Sequence, residues 1–92
     1  MYRRDILETA TQYVTKDRAA DHGDMEDNFR LIAEYWSLHL DCDVAADDVG
    51  VMMALLKVAR MKSNPAHMDN YIDGCGYLAC AGEIADRMYG DD

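Results

Sequence analysis

Eleven successive positions, Val49 to Ala59, carry a single charged side chain, Lys57, inside the run from Asp47 to Lys62. A segment of that length, apolar nearly all round, predicts a helix over 47–62 that is buried on most sides, central to the fold and shared between neighbours in the chain and a second subunit. Burying an ammonium without a partner is costly. Lys57 is therefore expected to meet an acid, to line a pocket, or to run its methylene stem out to solvent.

The flanking sequence supplies three more helices. Ile6, Leu7, Ala10, Tyr13 and Val14 recur at helical spacing and predict a first helix over 4–16. An acid-rich loop follows, with a turn at His22-Gly23 and Asp24 as the N-cap of the next helix. That helix, over 25–40, places Phe29, Ile32, Ala33, Trp36 and Leu40 on one stripe. Asp47 and Asp48 put negative charge at the start of the third helix, where the macrodipole favours it. Ser63-Asn64-Pro65 ends that helix, because the residue before proline disfavours the helical region. A short link bearing His67 leads to a last helix over 69–89. Its interior glycines Gly74, Gly76 and Gly82 each cost roughly 1 kcal/mol relative to alanine, so close helix contact or a ligand is expected there. Neither strand alternation nor an internal repeat competes with these periods. The expected fold is a single all-α domain spanning 1–92, a four-helix antiparallel bundle whose short connections set consecutive helices side by side.

Ninety-two residues bury only a modest fraction of their surface, so a homo-oligomer is expected. A formal charge of −9 argues against a general nucleic-acid partner, which would need clustered Lys and Arg. No signal-like segment or run near the roughly 20 apolar residues of a bilayer span is present, which predicts a cytoplasmic protein with no membrane partner. Cys42, Cys75 and Cys80 are odd in number and lack CxxC spacing, so they read as reduced thiols, neither a disulfide framework nor a zinc site.

Two polar strips carry what chemistry the sequence offers. Asp69, Asp73 and Tyr77 fall at i, i+4 and i+8 on the last helix, and Lys57 and Arg60 at i, i+3 on the third. The acids are either a solvated face or the partners of a cation or of Lys57 and Arg60. Opposed strips would make a polar pocket in an apolar bundle. Asp69 and Asp73 are the candidate ligands for Mg²⁺, an oxygen-seeking ion, completed by substrate phosphates and by acids such as Asp21 or Glu34. His22 and His67 flank that pocket, whereas His39 reads as a surface residue. Trp36, Tyr35 and Tyr77 can stack on a base, but Trp36 belongs to the apolar stripe and is assigned to the core. Phosphate-loop and nucleophile motifs are absent.

Three blocks in this order carry a resemblance: Asp21-His22-Gly23-Asp24-Met25-Glu26-Asp27-Asn28-Phe29, Leu56-Lys57-Val58-Ala59-Arg60-Met61-Lys62, and Asp69-Asn70-Tyr71-Ile72-Asp73-Gly74-Cys75-Gly76-Tyr77. Over about 14–85 the chain resembles small phage and prophage proteins of unassigned activity, which in turn look like distant relations of the all-α NTP pyrophosphatases of MazG-like fold. The resemblance implies an oligomeric bundle with a nucleotide pocket between the second, third and fourth helices. In it Lys57, Arg60 and Lys62 would face phosphates, and Asp69 and Asp73 would form the acidic face. MazG-like enzymes hold Mg²⁺ with an ExxE pair on one helix and an ExxD pair on the next, an arrangement this chain lacks. The expected function is thus a nucleotide-binding phage protein with little or no turnover, sequestering a host immune signalling nucleotide as an anti-defence sponge. The alternatives are a Mg²⁺-dependent nucleotide pyrophosphohydrolase and an acidic protein-interaction module.

Overall fold

The computed structural model describes residues 1–17 and 24–90, all of whose regular structure is helical. Helix α1 spans Arg3–Gln12 and runs on into a wider π-type turn, Tyr13–Asp17. Helix α2 spans Met25–Leu40, α3 Ala46–Ser63 and α4 Met68–Tyr89. Four helices in this order match the sequence periodicity to within a residue or two, except at the end of α1. There Thr11 and Thr15 hydroxyls donate back to the carbonyls of Leu7 and Thr11, a local bond that bends and loosens a helix. Tyr13 and Val14 lie in this widened turn and are both half-buried.

The helix ends follow from their side chains. Asp24 accepts the Asp27 N–H at 3.1 Å and caps α2, as its position predicts. Asp41, in left-handed conformation at φ 54°, closes α2, with its N–H donating to the Ser37 carbonyl. The Ser37 hydroxyl then donates to the Val44 carbonyl at 3.1 Å and accepts the Val44 N–H at 2.8 Å, pinning the link into α3. Asp48 accepts the Ala45 N–H at 2.9 Å at the start of α3, so one of the paired acids is a cap. Asp47 instead accepts from the Tyr89 hydroxyl at the far end of α4.

Helix α4, not α3, is the centre of the fold. It buries Asn70, Ile72, Gly74, Gly76, Cys80, Ala81 and Ile84 and packs on α1, the π turn and α3. Helix α3 lies antiparallel to it: Asp47 meets Tyr89, Gly50 lies beneath Ala81, and Lys57 meets Asp73. Only Val49, Gly50 and Ala54 of α3 are buried, while Val51, Met52, Leu55, Leu56 and Val58 face out. The expectation of a helix buried on most sides is thus corrected for the single chain. Small residues let α3 and α4 approach so closely that one face of α3 suffices to close the core. Each of Val49, Ile72 and Ile84, almost fully buried, contributes about 1.5–3 kcal/mol. Helix α2 packs on α3 and is tied to the end of α4 by the Glu26–Arg87 ion pair, and between α2, α1 and the middle of α4 lies an apolar cavity. No helix among the described residues is long and apolar enough to cross a membrane.

Candidate functional site

The cavity left by α2 measures about 430 Å³ and is lined by every helix. Helix α2 contributes Met25, Asn28, Phe29, Ile32 and Trp36. The widened turn after α1 contributes Tyr13 and Val14, α3 contributes Val49 and Met53, and α4 contributes Ile72, Asp73, Gly76, Tyr77 and Cys80. Its wall is apolar and aromatic, with Tyr13, Asn28, Asp73 and Tyr77 as polar points. A few placed polar groups in an apolar cleft is the usual make-up of a small-molecule site.

A second, shallower groove of about 340 Å³ lies where α3 ends and α4 begins, lined by Lys57, Arg60, Ser63, Asn64, His67, Asp69, Asn70 and Asp73. Lys57 donates to Asp73 across the α3/α4 contact at 3.0 Å, with side-chain exposures of 13% and 16%. An acid was one of the three destinations open to Lys57, and the pair sets the basic and acidic strips against each other. Asp73 lines both the cavity and the groove, so the two spaces share one wall. Arg60 is exposed and has no ion-pair partner among the described residues. His67 and Asp69 approach to 3.9 Å at the outer rim, both exposed. Asn70 is buried, and no buried side-chain polar atom among the described residues lacks a hydrogen bond.

The structure therefore gathers Lys57, Arg60, His67, Asp69 and Asp73 into one groove and places Tyr77 in the adjoining cavity. Lys62 is exposed and does not line the groove, because five residues beyond Lys57 it sits roughly 140° round the helix. His22 and Asp21 lie outside the described residues. Trp36, read as core, is half-buried and forms part of the cavity wall opposite Tyr77's helix, whereas Tyr35 faces away and is exposed. Tyr13, Val14 and Asn28 were not legible as site residues. Asn28 carried a signal, since it is the polar member of the Met25, Phe29, Ile32 stripe.

Asp69 and Asp73 lie a turn apart, yet no group of three or more His, Cys, Asp or Glu among the described residues could hold a metal ion. Asp73 is moreover committed to Lys57. These donors do not reproduce the paired-acid arrangement of the MazG-like enzymes.

None of the three cysteines is in a disulfide. Burial, and to a lesser degree the Glu83 carboxylate, pushes the Cys80 thiol above its ordinary range, while Cys42 is exposed. The thiolate is the reactive form. Iodoacetamide is therefore expected to label Cys42 well before Cys80, as read by peptide mass spectrometry over a time course. A ligand in the cavity should slow Cys80 further.

Residues 5–85 match the model of a domain of unknown function, DUF6378. The chain is 40% identical over 73 residues to the Gene 55 protein of Mycobacterium phage L5, covering 78% of this chain and 47% of that one. It is 34% identical over 79 residues to the Gene 55 protein of Mycobacterium phage D29, covering 86% and 52% respectively. The chain thus spans about half the length of these curated relatives. No solved structure matches it. With most of its length inside the family model and phage proteins as its relatives, the chain belongs to the DUF6378 family, a domain of unknown function found in small phage proteins.

Proposed function

We propose that this chain binds a nucleotide-like small molecule, with the base in the aromatic cavity and phosphate in the groove, and with little or no turnover. The observation that carries the reading is the shared wall: Asp73 borders both an apolar cavity roomy enough for a base and a groove holding Lys57, Arg60 and His67. Tyr77 and Trp36 offer π faces to a base, and Asn28 offers both donors and an acceptor to its edge. A distant relation to the MazG-like NTP pyrophosphatases belongs to this reading, as does a homo-oligomeric state.

Charge narrows the ligand. Lys57 and Arg60 are balanced in the groove by Asp69 and Asp73, so it is close to neutral, within a chain of net charge −9. A triphosphate brought without its own cation would meet that field unfavourably. A ligand with one or two singly charged phosphodiesters is the better match, which favours a cyclic or linked signalling nucleotide. In a phage-infected cell, a binder that retains such a molecule intact would act by sequestering a host immune signal.

The test is to incubate the protein with a mixture of cyclic and linear nucleotides, with and without Mg²⁺, then denature it and analyse the released molecules. Intact ligand in stoichiometric amount is expected. Arg60→Ala, an exposed change that leaves the core untouched, should weaken retention by roughly ten- to a hundredfold, the range of a charged hydrogen bond worth about 1.5–3 kcal/mol. Conversion to monophosphate and pyrophosphate would replace binding by hydrolysis as the function. Neither ligand nor product would overturn the reading in favour of a protein partner for the acidic surface.

A further inference from the structure

The exposed side of α3 has a pattern of its own. Asp48, Val51, Leu55, Val58 and Lys62 succeed one another at alternating intervals of three and four residues, the repeat of a helix-pairing seam. All five are exposed, with Val51, Leu55 and Val58 at 42%, 60% and 54%. The stripe lies one residue, about 100°, round the helix from the positions that meet α4, which include Gly50, Lys57 and Met61. Met52 and Leu56 flank it and are also exposed. The seam is apolar in the middle, acidic at its first position and basic at its last, and Leu55 stands midway between the two charges.

We infer that this seam pairs with the same seam of a second copy, antiparallel, about a two-fold axis through Leu55. Antiparallel pairing brings Asp48 to the partner's Lys62 and Lys62 to the partner's Asp48, closing both ends with opposite charges across an apolar centre. Parallel pairing would instead set acid on acid and base on base. One self-complementary patch closed by a two-fold is the ordinary construction of a homodimer. The charges at its ends choose the orientation and exclude the other. The groove and the cavity both remain open, because Lys57 points to the side of α3 that faces α4, where it meets Asp73.

Sedimentation velocity over a dilution series tests the seam. The native chain is expected to dimerise reversibly, and Leu55→Glu to run as a monomer with unchanged helical circular dichroism. Lys62→Glu should weaken the dimer roughly tenfold or more, since each of its two ends then sets like charges together. Adding Asp48→Lys to Lys62→Glu should restore association by exchanging the charges. A native chain that stays monomeric at high micromolar concentration, or a Leu55→Glu chain that dimerises like the native one, would overturn the seam. Failure of the double exchange to recover what Lys62→Glu loses, with helicity intact in both, would overturn the antiparallel arrangement.

Discussion

Replacing Gly50 by alanine is expected to lower the melting temperature by roughly 8–16 °C, and replacing it by leucine to prevent the native packing of α3 on α4. A Cβ at this position would lie 2.7 Å from the Ala81 Cβ, 2.8 Å from the Tyr77 carbonyl oxygen and 3.2 Å from the Ala81 Cα. None of these is the free end of a flexible chain, so relief requires the two helix backbones to move apart. Overpacking a core costs about 1–3 kcal/mol and occasionally more, against a gain of at most about 1 kcal/mol from the better helix propensity of alanine. Clashes with a backbone carbonyl and a Cβ, neither able to swing aside, place the cost at the top of that range, and the net loss near 2 kcal/mol converts to the stated shift at about 4–8 °C per kcal/mol for a domain of this size.

The opposite sign is expected at Gly82, where an added Cβ meets nothing within 4 Å. Gly82→Ala should raise the melting temperature by about 4–8 °C, from roughly 1 kcal/mol of helix propensity and unfolded-state entropy. Paired thermal scans by circular dichroism read both. Equal and small effects at the two positions would mean that α3 and α4 do not approach as closely as the Gly50 contact requires.

These two glycines also mark how far the sequence could be read. The interior glycines of the last helix stood out because each costs helix stability, yet they differ in use. Gly76 sits 3.0 Å from Val14 once a Cβ is added, while Gly82 is open. Gly50, the tightest of the glycines inside the helices, looked like any small residue in an apolar run. Helix number, the Asp24 cap and the proline stop were legible because each is a local rule acting within one turn. The pairing of Lys57 with Asp73 was legible as one of several readings, because a buried ammonium seeks an acid and Asp69 and Asp73 formed an acidic strip on the last helix.

What escaped was set by distances between elements. An all-round apolar pattern cannot distinguish a helix buried inside one chain from a helix half-covered by that chain, and α3 proves to be the second. The cavity depends on how far α2 stands from α1 and α4, and on a widened turn at Tyr13–Asp17. Hydrophobic spacing over 4–16 gave no sign of that turn, so Tyr13 and Val14 read as plain core residues. Trp36 read as core for the same reason: a cavity wall and a core have the same period.

Removing the charge of Lys57 is expected to destabilise the fold more than removing the charge of Asp73. In Lys57→Met the stem still covers α4, but the Asp73 carboxylate, 16% exposed at the shared wall of cavity and groove, loses its ammonium partner. Loss of one member costs about 3–5 kcal/mol in a fully buried pair and about 1.5–3 kcal/mol for a charged hydrogen bond in general. With slight solvent access on both sides, a loss near 3 kcal/mol is expected, or about 12–24 °C in melting temperature. Asp73→Asn keeps an oxygen that accepts from Lys57, and the freed ammonium can extend along its stem toward the groove and water. About 1–2 kcal/mol is expected there, since only the charge assistance of the bond is lost. In Lys57→Met/Asp73→Leu no charge remains to be orphaned, so much of the single-variant loss should return, as apolar replacement of buried pairs often allows. Urea melts of the native chain, Lys57→Met, a single Asp73→Leu and the double variant close the cycle. A coupling energy within error of zero would make the 3.0 Å contact incidental and leave Lys57 free for a phosphate. A large coupling would mean that an anionic ligand must compete with Asp73 for the ammonium, so that in the native chain Arg60 makes the first contact and Lys57 the second.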